Sequence, residues 1–289
     1  MKPEQYAQIS AKLNELMRKP KFFIVGCQKS GTSWVQAILD AHPALSCGGE
    51  SGFMTDLIPS LTQATGFYNQ RQKTGPHNVF SNNDDEFMIT TAILSLIAKW
   101  PGAEAASCIG ERTPGHAILM PELNQLFPNS KFIHVIRDGR DVVLSGWFHN
   151  LREPSTLFKQ EFENDFHAYI EHACLYHWRH YIIKARIFGK RNPEQYLEVR
   201  YEKLHSAPEE TIEEMLSFLG VDASTSLVER CRDSASFENL SGGRKPGEED
   251  RNSPYRKGIV GDWQNHFDKD AAELFLREAG TLMKELKYT

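Results

Sequence analysis

The sequence predicts an α/β fold, a single domain over residues 1–289 with a central, mainly parallel sheet flanked by helices. Two observations carry this prediction. At 21–41, a β-branched and aromatic run ends at a glycine and is followed by apolar residues at helical spacing. The same order recurs at 131–148. Strands that alternate with helices form parallel sheets covered on both faces, and ligands bind beyond the carboxyl ends of their strands.

The predicted elements follow from local patterns and from capping residues such as Asp138, a typical helix N-cap. Three runs read as strands: 21–26, 131–138 and 195–201. The predicted helices are an N-terminal extension (1–20), 32–41, a core helix at 88–98, 139–148, a helix opened by Ser206 and Pro208 and closed by Gly220, and 268–286. The 241–258 loop, hereafter the lid loop, is rich in Gly, Pro, Ser and charge, so it is predicted to be mobile.

Composition and charge narrow the function classes. The chain is 40% hydrophobic and 25% charged, as in ordinary soluble proteins, and its formal net charge of −5 argues against binding to nucleic acid or to an anionic membrane. No segment has the pattern of a secretory signal or of a membrane-inserted helix. Five scattered cysteines without C-x-x-C spacing favour reduced thiols and a cytoplasmic location.

The stretch "GCQKSGTSW" (26–34) has the glycine spacing of a phosphate-binding loop. Gly31 lets backbone N–H groups approach an anion at the start of the next helix, and the hydroxyls of Thr32 and Ser33 add donors. A plain strand-to-helix turn is the alternative, but such a turn has no need of these polar groups. Thr32 stands where a nucleoside-triphosphate loop has its lysine, which argues against a kinase or an ATPase. Lys29 lies inside the loop, where it suits a single phosphate.

A second motif, "IRDGRDVVLS", places Arg137 at a strand end and Ser145 eight residues later, in the first turns of the following helix. Both side chains suit one anion, since a guanidinium supplies paired donors. On its own the motif is weak, because arginines at strand ends mostly form surface ion pairs.

A third motif, "RKGIVGDWQNHF" (256–267), lies at the end of the lid loop. Arg256, Lys257 and the flexible Gly258 suit a clamp over a phosphate. A solvated charge pair on a loop is the alternative interpretation.

Together, "KSGTSW", "IRDGRDVVLS" and "RKGIVGDWQNHF" resemble, in order and spacing, the motifs of sulfotransferases that use 3′-phosphoadenosine-5′-phosphosulfate (PAPS), over about residues 21–267. The resemblance implies a P-loop-like loop that holds the 5′-phosphosulfate, with Lys29 beside the bridging oxygen. The implied binding residues are Lys29, Ser30, Gly31, Thr32, Ser33 and Trp34 for the phosphosulfate, Arg137, Ser145, Arg256, Lys257 and Gly258 for the 3′-phosphate, and Tyr201 near the adenine.

The sequence combines features of two branches of that family. Gln28 replaces the proline that usually precedes the loop lysine. The "RKGIVGDW" segment is similar to the cytosolic branch, whereas "LDAHPALSCGGES" (39–51) is similar to the protein-tyrosine and carbohydrate branches. The acceptor is therefore not inherited from either branch, and residues 52–107 and 146–165 are expected to shape its pocket.

Two residues are candidates for the general base. Glu50 matches the position of the catalytic glutamate in the tyrosine-directed branch and is expected just after the second strand. His116, in "ERTPGHAILMP", is the alternative, since it lies near the region of the cytosolic branch's histidine. If Glu50 has no catalytic role, it is an exposed loop carboxylate. If His116 has none, it is a capping or surface histidine.

The resemblance implies in-line transfer of a sulfuryl group from PAPS to a small-molecule or carbohydrate hydroxyl, giving 3′,5′-adenosine bisphosphate (PAP) and a sulfate ester. A small-molecule P-loop kinase and a non-catalytic PAPS- or PAP-binding protein are the alternatives. No metal is expected, because the histidines of one helical stretch lack metal-site spacing and a carboxylate partner: His167, His172, His177 and His180.

Overall fold

The computed structural model describes residues 1–72 and 75–289 and contains a five-stranded sheet in which every described strand pair is parallel. The strand order is β2-β3-β1-β4-β5. The predicted α/β class with a parallel central sheet is confirmed. The strands are β1 Lys21–Gly26, β2 Leu45–Gly48, β3 Cys108–Arg112, β4 Lys131–Ile136 and β5 Tyr196–Arg200.

The central position of β1 decides where the site lies. The chain passes from β1 to one side of the sheet for β2 and β3 and later returns to the other side for β4 and β5. A crevice opens at such a switch point, beyond the carboxyl ends of the strands. Gly26 at the end of β1 lies opposite Val135 of β4, so the segments that follow these two strands meet at this crevice.

Helices cover both faces of the sheet. In the described residues they are α1 Pro3–Arg18, α2 Thr32–Asp40, α3 Ile58–Arg71, α4 Asn82–Ile97, α5 Met120–Leu126, α6 Gly139–Arg152, α7 Thr156–Glu161, α8 Phe166–His172, α9 His180–Arg191, α10 Tyr201–Ser206, α11 Pro208–Leu219, α12 Thr225–Ser234, α13 Phe237–Ser241 and α14 Lys269–Glu285. None of the described helices is long and apolar enough to cross a membrane.

Alternation along β1 builds the two cores. Phe23 and Val25 point to one face, where they pack with residues of α4, α5 and α9. Phe22 and Ile24 point to the other face and pack with α2, α11 and α12. All six residues of β1 are buried, as expected for a strand covered on both sides. The rigid central strand therefore fixes the glycine loop that follows it.

Most predicted boundaries agree with the structure to within a few residues, and two differ. The core helix begins at Asn82 rather than at residue 88, because Ser81 and Asp84 form a capping box at its start. Ser206 ends α10 instead of opening the next helix, whose N-cap is Ala207. Asp138 caps α6 as predicted, accepting a hydrogen bond from the Arg140 N–H.

The lid loop has neither helix nor strand beyond Ser241 in the described structure. Arg244 organises it internally, because its guanidinium donates hydrogen bonds to the carbonyls of Glu248, Tyr255 and Arg256. Its predicted mobility stays a prediction. Within the segment expected to help shape the acceptor pocket, Lys73 and Thr74 lie outside the described residues.

Candidate active site

The loop between β1 and α2 is shaped by its backbone. Gly31 has φ 101°, and a Cβ at this position would lie 2.5 Å from Cδ2 of Tyr201. Only glycine satisfies both conditions, since a positive φ is strained for other residues and the ring leaves no room. Lys29 also has a positive φ, 71°, which turns its side chain away from the course of the strand. Such strain in a non-glycine residue is typical of binding and catalytic sites.

Lys29 is partly buried and surrounded by charge. Burial, followed by the nearby Arg152, lowers the pKa of Lys29 to about 8. Glu50 and Glu153 act in the opposite direction, and Arg137 adds to the lowering. A cation held in this way gains from an anion that replaces its lost hydration, so the position suits a phosphate or sulfate ester.

The neighbouring polar groups differ in exposure. Ser30 and Thr32 are buried beneath the loop, whereas Ser33 is exposed at the start of α2. The indole N–H of Trp34 donates to the carbonyl of Ala235 at 2.8 Å, which ties α2 to the end of α12. The loop therefore has a supported inner side and an open outer side.

An aromatic group lies beside the loop. Trp34 packs edge-on against Tyr201, with ring centroids 5.4 Å apart, and His205 contacts both rings. Burial lowers the pKa of His205 to about 4, so this ring is neutral at pH 7. These mutually inclined rings form a neutral aromatic group of the kind that contacts a nucleobase, and the place of Tyr201 near the adenine stays a prediction.

Arg137 links the loop to the aromatic group. Its guanidinium stacks on the ring of Tyr201 at 4.2 Å and donates to the carbonyls of Lys29 and Ile259 at 3.4 and 3.3 Å. Its Nε atom is buried and has no hydrogen-bond partner in the described protein. A buried donor without a partner is costly, and an anion that accepts from it removes that cost.

Ser145 lies eight residues after Arg137, two turns into α6, and is half-buried. It lines a cleft together with side chains from the glycine loop, α6 and the lid loop. The residues of this cleft are Lys29, Ser145, Phe148, His149, Arg152, Arg251, Ser253, Pro254 and Arg256. The structure thus brings one predicted residue of each motif, Lys29, Ser145 and Arg256, to this cleft.

The predicted clamp residues of the lid loop are engaged within the protein. Arg256 and Lys257 both bind the carboxylate of Asp262, at 2.7 Å for Lys257. Burial by itself raises the pKa of Asp262, but the hydrogen bonds from Lys257, Asn265 and Arg256 outweigh it and hold this pKa below its usual value. Gly258 has φ 64°, and a Cβ there would lie 2.3 Å from the Phe237 ring.

Asp141, which sequence reasoning missed, binds the chain just after the lid loop and so attaches it to α6. Its buried carboxylate accepts hydrogen bonds from the N–H groups of Gly261 and Trp263, at 2.7 and 3.0 Å. The signal was present, because an acidic residue in the first turn of a helix is a common anchor for backbone donors. Its partner lies 120 residues away and has no local signature.

The two candidate bases lie in different surroundings. Glu50 follows β2, is 57% exposed and pairs with Arg112, which also donates to Gln36 at 2.8 Å. His116 is fully buried, and its Nδ1 lies 3.0 Å from the carboxylate of Glu111. The surface or capping role expected for His116 as a structural residue is therefore wrong, because its ring packs in the core against Phe53.

The structure also shows which residues extend the predicted site. His149 and Arg152, on the cleft face of α6, belong to no motif singled out in the sequence. Of the two segments expected to shape the acceptor pocket, 146–165 contributes these two residues and Phe148. The described residues contain no group of three His, Cys, Asp or Glu side chains that is fit to hold a metal ion.

Comparison with known proteins identifies the family. The sequence model described as "Sulfotransferase family" matches residues 20–225. This chain belongs to the sulfotransferase family. The predicted family, its enzyme class and its reaction, sulfuryl transfer from PAPS to a hydroxyl, are thereby confirmed.

Relatives within the sulfotransferase family agree with this assignment. A protein-tyrosine sulfotransferase of Drosophila melanogaster is 30% identical over 209 residues, which are 70% of this chain and 38% of the fly protein. A flavonol sulfotransferase-like protein of Flaveria bidentis is 30% identical over 161 residues, covering 50% of this chain and 52% of the plant protein. The chain thus spans about half or less of the length of these two relatives.

Solved sulfotransferase structures share the fold. A mouse sulfotransferase complexed with PAP superposes with a TM-score of 0.57 at 20% identity, covering 95% of this chain and 93% of the mouse chain. A sulfotransferase from Alicyclobacillus acidocaldarius gives a TM-score of 0.51 at 18% identity, with coverage of 93% and 96%. At such identities the likeness concerns the fold alone.

Proposed function

We propose that this sulfotransferase binds PAPS across the cleft, with the 5′-phosphosulfate on the 26–34 loop and the 3′-phosphate between Arg137, Ser145 and the lid loop. The observation that carries the proposal is the position of Arg137. It stacks on Tyr201, reaches the carbonyl of Lys29 and keeps a buried Nε donor without a partner in the described protein. One side chain therefore lies between the proposed nucleobase position and the proposed anion positions.

In this proposal, Arg256 and Lys257 either move from Asp262 to the 3′-phosphate or bind the phosphate and the carboxylate at the same time. The buried carboxylate holds both cations at one point, 2.7 Å away in the case of Lys257. Two cations already assembled around one anion need little reorganisation to receive another. Gly258 supports this arrangement, since its left-handed φ and its contact with Phe237 fix the chain directly after the two cations.

Lys29 and Glu50 would divide the chemical work. The acceptor oxygen attacks sulfur in line with the bond to the 5′-phosphate oxygen; a new O–S bond forms as the bridging O–S bond breaks. The electron pair of the broken bond leaves with PAP, and Lys29 neutralises the charge that develops there. The acceptor proton passes to the carboxylate of Glu50, which lies close enough to Lys29 to raise its pKa.

We further propose a phenolic hydroxyl as the acceptor. The two relatives are named for tyrosine and for flavonols, and both of these are phenols. A phenol has a pKa of about 10, well below that of an alcohol, so an exposed carboxylate such as Glu50 is a sufficient base. The ring of Phe148 lines the cleft with the guanidinium of Arg256 4.5 Å from its centroid, so a phenol would meet a surface that is both aromatic and cationic.

The cytoplasm is the compartment we propose, and the support comes from the thiols. All five cysteines are free and buried. Burial raises the pKa of Cys27, Cys47 and Cys108, which leaves these side chains as inert thiols.

Transfer of labelled sulfate from PAPS to 4-methylphenol, N-acetyltyrosine amide and a flavonol tests the proposal. We expect Glu50→Gln to lower kcat by about 10²–10⁴ and to leave PAP affinity within a few-fold, because the base acts on the acceptor alone. Glu153→Gln is the matched control. It removes a carboxylate that is 63% exposed and also acts on Lys29, and it should change kcat by less than about threefold.

Three outcomes would contradict parts of this proposal. Equal losses in the two variants would mean that Glu50 acts through its charge rather than as a base. If Glu50→Gln turns over normally and His116→Gln is inactive at an unchanged melting temperature, the base is His116. PAP binding without transfer to any acceptor would identify a non-catalytic nucleotide-binding protein.

A further inference from the structure

One face of α6 runs along the whole length of the cleft. Ser145, Phe148, His149 and Arg152 are three or four residues apart, so they lie on the same side of the helix. At 1.5 Å per residue, His149 lies about 6 Å and Arg152 about 10 Å beyond Ser145 along the axis. The face therefore begins at the predicted 3′-phosphate position and ends beside Lys29, whose pKa the charge of Arg152 lowers.

Arg152 determines which nitrogen of His149 carries the hydrogen. Its Nη2 lies 3.1 Å from Nδ1 of His149. A guanidinium only donates hydrogen bonds, so Nδ1 is the acceptor and the imidazole hydrogen resides on Nε2. Burial, reinforced by Lys29, lowers the pKa of His149, which keeps the ring neutral at pH 7. Over residues 1–72 and 75–289, no hydrogen bond of the protein engages Nε2 of His149.

Arg152 also contacts the lid loop. Its Nη1 donates to the carbonyl of Ser253 at 2.9 Å. One side chain thus holds the His149 ring and the lid loop at the same time. A ring fixed from one edge directs its other edge, the Nε2–H, away from Arg152.

The carboxylate of Glu50, which pairs with Arg112 outside the lining of the cleft, is a hydrogen-bond acceptor near Lys29. Lys29 and His149 line the same cleft. The charge of Glu50 acts on both of them, so this carboxylate lies within electrostatic reach of the two side chains. A hydroxyl group gives one hydrogen and receives another through its lone pairs. Glu50 can accept the hydrogen of the hydroxyl group, and the Nε2–H of His149 can donate to a lone pair of its oxygen.

Resting on the proposed function, we propose that His149 is a catalytic residue that donates its Nε2–H to the oxygen of the acceptor hydroxyl. Arg152 is then a positioning residue that acts through His149. As Glu50 takes the acceptor proton, the oxygen gains negative charge and the bond from His149 strengthens before the new O–S bond is complete. The same bond holds the oxygen in line with the sulfur.

Two variants of His149 test the donor. The side-chain nitrogen of Gln reaches the place of Nε2, whereas that of Asn reaches only the place of Nδ1. We expect His149→Asn to lower kcat/KM for 4-methylphenol by roughly 10- to 100-fold, the usual worth of one such bond. His149→Gln should retain about ten times more activity than the Asn variant. PAP affinity, measured by calorimetry, should stay within about threefold in both, and Leu151→Gln, half-exposed on another face of α6, serves as the control.

The role of Arg152 is tested by a double-mutant cycle and by a spectrum. Arg152→Met should lower kcat/KM more in the wild-type background than in His149→Asn, because the part of its effect that passes through the ring is already lost there. The ¹⁵N spectrum of the histidines, recorded without any ligand, should show the Nε2–H tautomer for His149 and lose this preference in Arg152→Met.

The contradicting outcomes are distinct. An active enzyme whose His149→Asn variant matches the wild type, or loses PAP affinity as steeply as activity, overturns the assignment of His149. A spectrum with the hydrogen on Nδ1 overturns it independently of any acceptor. Failure of the wild type to transfer sulfate to any acceptor overturns the proposed function, and the role of His149 with it.

Discussion

In the 26–34 loop the backbone itself sets the geometry, through Gly31 at φ 101° and Lys29 at φ 71° between a buried strand and a helix. In the lid loop, side chains set the geometry: Arg244 donates hydrogen bonds to four carbonyls, and Asp262 binds Arg256 and Lys257. The first construction is rigid before any ligand arrives, whereas the second depends on ion pairs that a ligand can exchange. In the proposed function, the difference means that this cleft combines a preformed anion site with an adjustable one.

Among the changes that separate the two loops, the largest effect is expected from the loss of Lys29 in the 26–34 loop. Lys29→Ala should lower kcat by about 10²–10³, the usual cost of losing a group that stabilises the charge of the leaving oxygen. PAP affinity should fall as well, because the proposed function places the same cation on the 5′-phosphate. Single-turnover transfer and calorimetry measure the two effects, and Lys184→Ala on the exposed surface of α9 is the control. Unchanged turnover in Lys29→Ala would show that the leaving group is stabilised elsewhere.

A pair of glycine variants separates geometry from strain. Gly31→Ala adds a Cβ 2.5 Å from Tyr201 and should weaken PAP binding by about 10- to 100-fold. At Gly261, after the lid loop, φ is 80° but a Cβ meets no described atom within 4 Å, so Gly261→Ala should cost only the left-handed strain of about 1–2 kcal/mol. Calorimetry and thermal unfolding measure both. Equal PAP affinities in the two variants would show that the 26–34 loop is not preformed.

The effect of pH on PAP affinity should be smaller than the effects of the Lys29→Ala and Gly31→Ala substitutions. Burial and Arg152 lower the pKa of Lys29 to about 8, from an ordinary value of 10.5, and a bound anion restores the charge. PAP affinity should therefore fall roughly five- to tenfold from pH 7.5 to pH 9, with proton uptake on binding. The stability of the protein without ligand should change with pH in the opposite direction from PAP affinity. The unfolded chain binds more protons than the native protein between pH 8 and 10.5, so the contribution of Lys29 to the free energy of unfolding rises there.

A lysine-to-arginine variant checks the origin of that pH dependence. Lys29→Arg keeps a charge that does not titrate in this range, so its PAP affinity should be nearly flat from pH 7.5 to pH 9. A slope that persists in Lys29→Arg would assign the titration to another group of the cleft.

The sequence was informative where function depends on local geometry. The glycine spacing around Lys29 and the eight-residue interval from Arg137 to Ser145 are properties of one strand end and one helix start, so they predict the position of each group. The parallel sheet followed from the same alternation. The start of the core helix was displaced, because Ser81 caps a helix whose first turn is polar. Ser206 ends α10 instead of opening α11.

Contacts across long sequence separations were not predictable. Asp141 binds the N–H of Gly261, Arg152 binds the carbonyl of Ser253, and each requires the lid segment to fold back over α6. His116 looked like a surface residue, yet the 3₁₀ turn at Pro114–Ile118 directs it into the core against Glu111. These outcomes depend on tertiary packing, which leaves no pattern in a short segment.

The central claim is that two separate anion sites flank one cleft, and the affinities of three nucleotides test it without any mutation. PAP carries both phosphates, whereas 5′-AMP and 3′-AMP each carry one. Charge-assisted hydrogen bonds are worth about 1.5–3 kcal/mol each, so calorimetry should find PAP at least about 100-fold tighter than either monophosphate. Equal affinities for PAP and 5′-AMP would contradict the account, because they would leave Arg137, Ser145 and the lid loop without a phosphate to bind.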